Sequence, residues 1–208
     1  MELEISSPWF AVWFHPRETI RRIVETNPGK YVLIISVLSE FCLTVDSARA
    51  KNAGDGMSLS MIFVESVLIG IVFGPFLLYV GGWILTWAGR KIGGQAESIE
   101  VRAAIAWSAV PILLSFIIFV LEFFFVGKEL FTSKTPLVNS NTFLNSVTVL
   151  GGSVEAIISV WAFIIFLKCL GEVHRFSAWK SLLAILFALL SVFIPLLIII
   201  AGLAFILK

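Results

Sequence analysis

The sequence predicts an all-α fold: a polytopic membrane bundle of five transmembrane helices, preceded by an amphipathic N-terminal helix lying in the membrane interface. Three observations predict it. Of 208 residues, 59% are hydrophobic and 14% charged, and the mean hydropathy of +1.00 is far above that of a soluble domain. The apolar residues gather in five runs, each longer than the roughly 10 residues that a tilted barrel strand needs. Lys and Arg concentrate in the N-terminal segment and in alternate turns between the runs, the pattern that orients membrane helices.

Residues 1–30 form a segment ahead of a membrane domain spanning 31–208. Trp9, Phe10, Trp13 and Phe14 precede Arg17, Arg21 and Arg22. That order is the reverse of a signal peptide, so the segment is expected to be retained. Pro16 suits a first helical turn, and Ile20, Ile23 and Val24 fall on one face opposite arginines. Asn27-Pro28-Gly29 ends the helix. Aromatic residues beside a basic amphipathic helix point to an interfacial segment or to a helix packed on the bundle.

The first apolar run, Tyr31 to about Val45, is short and carries Glu40, a marginal span by itself. The second, about Ser60 to Ala88, is overlong and contains Gly70, Gly74-Pro75 and Gly81-Gly82, so it must tilt or kink, with Pro75 the expected place. The third runs from about Ala103 to Val126, with Pro111 one turn in. The fourth covers about Val147 to Leu170. The fifth, Leu182 to Leu207, is almost uniformly apolar and should meet lipid.

Ten basic residues fall on one side: Arg17, Arg21, Arg22 and Lys30, then Arg90, Lys91 and Arg102, then Lys168, Arg175 and Lys180. Five fall on the other: Arg49, Lys51, Lys128, Lys134 and Lys208. The count places the amino terminus in the cytoplasm and the carboxyl terminus outside. A weak internal repeat accompanies this topology. Trp83 stands seven residues before Arg90 and ten before Gly93, and Trp161 has the same spacing to Lys168 and Gly171. Each turn then enters the next run through Ala-Trp, at Ala106-Trp107 and Ala178-Trp179.

PWFAVWFHPRETIRRIV at Pro8–Val24, GRKIGG at Gly89–Gly94, EVRAAIAWSAVP at Glu100–Pro111 and GEVHRFSAWKSLL at Gly171–Leu183 together resemble the bacterial branch of the Yip-domain family. These are small five-span proteins related to the eukaryotic Rab- and Ypt-interacting Yip proteins. The resemblance covers nearly the whole chain. It implies an integral protein of the bacterial plasma membrane with a cytosolic amino terminus. In eukaryotes the family is associated with vesicle trafficking and small-GTPase binding, partly through a longer amino-terminal region. About thirty residues precede the first apolar run here.

Acidic residues inside apolar runs are costly unless they meet a partner, water or a cavity. At 1.5 Å per residue, Glu40 lies roughly 15 Å beyond Lys30, Glu155 roughly 20 Å from Lys168, and Glu122 roughly 22 Å above Trp107. Glu65 and Asp46 belong nearer the outer face. The sequence shows no Lys or Arg placed to pair with these carboxylates. Glu40, Glu65, Glu122 and Glu155 are therefore the candidate proton- or cation-binding set, against a plainer reading in which they are neutral, hydrogen-bonded or at the interface. Arg17, Arg21, Arg22, Arg90, Lys91, His174 and Arg175 are the candidate contacts for a partner or a lipid headgroup.

Other classes of function recede. A net charge of +1 gives no reason to expect nucleic acid. His15 and His174 are the only histidines, both on the expected cytoplasmic side, so no histidine-rich intramembrane metal site is available. Cys42 and Cys169 read as buried small residues rather than a disulfide. The G-x-S-x-G, H-E-x-x-H and P-loop patterns are missing, and no cofactor is called for. The remaining classes are a non-enzymatic organiser or adaptor, with the bilayer, a cytoplasmic-face protein or a second copy as partners, and a transporter, channel or lipid-moving protein.

Overall fold

The computed structural model describes residues 7–206, and the regular elements among them are all helical. Leu207 and Lys208, the end of the fifth run and one of the five outer-side cations, lie outside the described residues. Two short helices open the chain, α1 (Pro8–Phe14) and α2 (Pro16–Thr26), each begun by a proline whose missing N–H has no partner in a first turn anyway. α3 (Val32–Ala50) follows, then α4 (Leu59–Lys91), whose Ser58 cap accepts from the Met61 N–H.

The third apolar run differs from its expected form. Its helix begins at Ser98 rather than Ala103, because Glu97 and Glu100 form a reciprocal capping box around the first turn. It is also divided into α5 (Ser98–Ser108) and α6 (Val110–Val126). Pro111 explains the break: it has no N–H to donate, and its ring excludes the carbonyl four residues back. A short α7 (Pro136–Ser140) leads to α8 (Thr142–Val173), capped by Asn141, which accepts from the Phe143 and Leu144 N–H groups. α9 (Ala178–Ile206) closes the fold. Pro75 sits inside α4 without ending it.

Four stretches are long and apolar enough to cross a membrane: Leu59–Lys91, Ser98–Phe131, Thr142–Val173 and Ala178–Pro195. The expected count of five is corrected on this criterion. α3 has 19 residues, but Glu40, Asp46 and Arg49 lie within it. It extends five residues beyond the expected limit at Val45, and that extension carries Arg49 inward from what had read as an outer loop.

α3 nevertheless packs along the first half of α4. A Cβ on Gly74 would stand 2.8 Å from the Ser36 carbonyl, and one on Gly70 2.9 Å from the Val37 carbonyl. The absence of side chains at these two glycines brings the helix backbones into contact. The interior divides into two cores. One joins Val12, Ile20 and Ile23 of α1 and α2 to Val101, Ala103, Trp107, Ile165 and Cys169. The other, at the far end, collects Val45, Ile62, Phe119, Val126 and Phe131. Between and around them the helices face outward: only 17% of the most apolar part of α8 is buried by the protein. That surface is matched to lipid.

Candidate functional site

Two constellations emerge from the packing, one at each end of the bundle. The first joins the N-terminal helices to both basic turns. The Trp161 indole Nε1 donates to the Trp13 carbonyl at 3.1 Å, and the Cys169 thiol points at the Pro16 carbonyl at 3.7 Å. α2 therefore runs along α8, and the end of α1 meets it at Trp13. At its end, Glu172 accepts from Arg17 Nη1 at 3.1 Å and from Arg21 Nε at 2.7 Å. One carboxylate thus holds two arginines 151 and 155 residues away in sequence. Among the described residues Arg22 pairs with Glu18 alone, at 3.8 Å on its own helix. Of the three N-terminal arginines expected to face a partner, two are therefore held by Glu172.

His174 is displaced further from its expected role. It is fully buried and cannot contact a headgroup. Its ring is stacked on Phe176, with centroids 5.0 Å apart, and fills the space left by Gly89 and Gly94, where any Cβ would collide with the imidazole. Nδ1 accepts from the Ala96 N–H at 3.4 Å, so the ring is neutral with its proton on Nε2. Burial pushes its pKa down to about 4, with the Arg90 charge acting in the same direction. The two basic turns thus interlock through one imidazole. Arg90 reinforces the joint by donating from Nε to the Ala96 carbonyl at 3.0 Å. Arg175 takes a left-handed φ of 57° in the second turn. Lys91 stays exposed and makes no ion pair among the described residues.

The carboxylates divide between two places. Glu122 of α6 and Glu155 of α8 meet at Arg49: Nη2 lies 2.6 Å from Glu122 Oε2, and Nη1 donates to Glu155 Oε2 at 3.0 Å. The Glu122 contact is an ion pair outside hydrogen-bond geometry, and among the described residues the buried carboxylate has no hydrogen-bond partner. Gly151, one turn before Glu155, admits it: a Cβ there would overlap the Glu122 carboxylate. The expectation of carboxylates without a basic partner is corrected for this pair. Glu40 and Glu65 instead line a cavity of about 390 Å³ between α3 and α4, with Thr44, Ser47, Lys51 and Ser66. No group of three or more His, Cys, Asp or Glu side chains suited to a metal occurs among the described residues.

Arg49 is the residue that sequence reasoning missed, because a cation just past an apolar run reads as a loop residue. A faint signal existed in Gly151 and Glu155, spaced to share a helix face.

The sequence matches the Yip1 domain over residues 10–200, from the start of α1 into the last turns of α9. The chain belongs to the Yip1 domain family. No curated protein and no solved structure matches it. The match spans both constellations, so the interlocked turns and the Arg49 ion pairs lie within the Yip1 domain itself. Membership agrees with the apolar helices in making this a multi-pass membrane protein in contact with the bilayer.

Proposed function

We propose that this Yip1-family chain is a non-enzymatic membrane organiser or adaptor that presents one preassembled face to protein or lipid partners. The observation that carries the reading is the double grip of Arg17 and Arg21 on Glu172. It joins the N-terminal helices to the end of α8, while His174 joins that end to the turn after α4. A face fixed by ion pairs and buried contacts suits docking better than alternating access.

In this reading α3 supplies a fifth pass. Its 19 residues span roughly 28 Å, close to the hydrocarbon thickness. The amino terminus is cytoplasmic, the carboxyl terminus is outside, and the membrane is the bacterial plasma membrane. The ten-to-five distribution of Lys and Arg supports the orientation. So does the gathering of the N-terminal segment and both basic turns at one end. α1 sits in the interface, with Phe10 and Phe14 exposed on the side opposite buried Ala11 and Val12.

A second reading, a transporter, channel or lipid-moving protein with an acidic proton or cation site, is favoured by the cavity between α3 and α4 that holds Glu40 and Glu65. Liposomes containing the purified chain separate the two. The organiser reading expects no flux of protons, monovalent or divalent cations or fluorescent lipid above protein-free vesicles. Flux that Glu40→Gln or Glu155→Gln abolishes would replace it with the second reading.

A further inference from the structure

At the end of α4 and the start of α5 lies a pocket of about 450 Å³ lined by Trp83, Thr86, Trp87, Arg90, Lys91 and Ser98. Two indoles and two cations at the end of a membrane helix thus share one lining. Both indoles are exposed, Trp83 at 67% and Trp87 at 39%. We propose that this pocket holds the headgroup of an anionic phospholipid, a proposal that rests on the organiser reading and names one of its partners.

The first argument is depth. α4 has 33 residues and is roughly 50 Å long, against a hydrocarbon core of about 30 Å. About 20 Å of the helix therefore stands in the headgroup layer or beyond it. The excess falls at the C-terminal end, because α3 packs along the first half of α4 only, from Ile62 in one core with Val45 to Gly74 against Ser36. Arg102 also places its guanidinium over the Tyr79 ring, 4.5 Å from the centroid. A guanidinium at that level marks the edge of the hydrocarbon. Trp83, one turn further, then occupies the depth at which membrane tryptophans concentrate, and Arg90 and Lys91 lie roughly 10 Å beyond it.

The second argument is charge. Arg90 is oriented by its Nε bond to the Ala96 carbonyl, which leaves both terminal nitrogens for a ligand. Neither Arg90 nor Lys91 makes an ion pair among the described residues. The neighbouring carboxylates, Glu97 and Glu100, are engaged in the capping box of α5. A phosphodiester between the two cations, with its glycerol and first methylenes against the indoles, satisfies both halves of the lining. An anionic headgroup leaves no second cation to be accommodated, unlike a zwitterionic one. The position at bilayer depth assigns the phosphate to a lipid rather than to a soluble ester.

Native mass spectrometry of the full chain tests this, with dioleoylphosphatidylglycerol and dioleoylphosphatidylcholine offered in equal amounts. The wild type should retain the anionic lipid preferentially. Lys91→Gln should reduce that preference about fivefold, the weight of one cation at a membrane surface. Arg90→Gln should do at least as much, and Lys134→Gln, in the loop at the far end, should do nothing. Equal retention of the two lipids, or losses as large in Lys134→Gln, overturns the proposal. So does binding of glycerol phosphate as tight as that of the lipid. None of these failures produces flux in liposomes, so they remain distinct from failure of the organiser reading.

Discussion

Arg49 stands 2.6 Å from Glu122 across the interface of α3 and α6, and its other terminal nitrogen reaches Glu155 on α8. One guanidinium therefore ties three helices together where the sequence suggested unpaired carboxylates. Glu122 is 1% exposed, so removing its partner leaves a charge with no solvent to turn to. Arg49→Met should destabilise the chain by about 3–5 kcal/mol, as expected for breaking a buried pair from one side. Adding Glu122→Gln and Glu155→Gln should restore most of the loss. Unfolding in SDS titrations, compared across the wild type and the two variants, checks both halves.

Adjacent glycines in α8 give opposite expectations. A Cβ at Gly151 would overlap the Glu122 carboxylate, whereas one at Gly152 meets nothing within 4 Å. Helix propensity alone favours alanine at both positions by up to about 1 kcal/mol. Gly152→Ala should therefore be neutral or stabilising. Gly151→Ala should cost about 1–3 kcal/mol through overpacking. Equal effects of the two substitutions would contradict the placement of Glu122.

The helices were legible because long apolar runs broken by glycine and charge admit little else. Their ends were less so: the capping box at Glu97 and Glu100 moved the start of α5 outward, and Pro111 separated α5 from α6. What the sequence concealed was contact between distant residues. His174 sits in a turn, Gly-Glu-Val-His-Arg, whose composition reads as solvated. Its burial depends on Gly89 and Gly94 in a different turn. Arg17 and Arg21 looked like a free basic face because Glu172 lies more than 150 residues away. Local pattern carries no information about such pairings.

His174 gives the fold a pH dependence of known sign. Its pKa is about 4 in the folded chain, against an ordinary value of 6.5. Between those values the unfolded chain binds more protons, so stability falls as pH drops from 6.5 toward 4 and is insensitive to this group above 6.5. The full effect is at most about 3 kcal/mol. His174→Gln keeps an acceptor for the Ala96 N–H and should flatten that part of the pH profile relative to wild type. An unchanged slope would show that the ring is not buried neutral.

Glu172→Gln should loosen α2 without unfolding the bundle. The arginines it holds are substantially exposed, so the effect should be modest and should shrink as salt rises. Trypsin is a suitable probe, since Arg17, Arg21 and Arg22 provide its cleavage sites. Faster cleavage of the variant at low salt, converging with wild type at high salt, is the expected result.

The central claim is a face held in one arrangement. Spin labels at Glu25→Cys on α2 and Lys180→Cys on α9, with Cys42 and Cys169 replaced by alanine, report on it directly. Pulsed dipolar spectroscopy in liposomes should give a single distance distribution that does not change with pH or with an ion gradient. Two distance populations that exchange with either would contradict a fixed docking face and indicate a moving one.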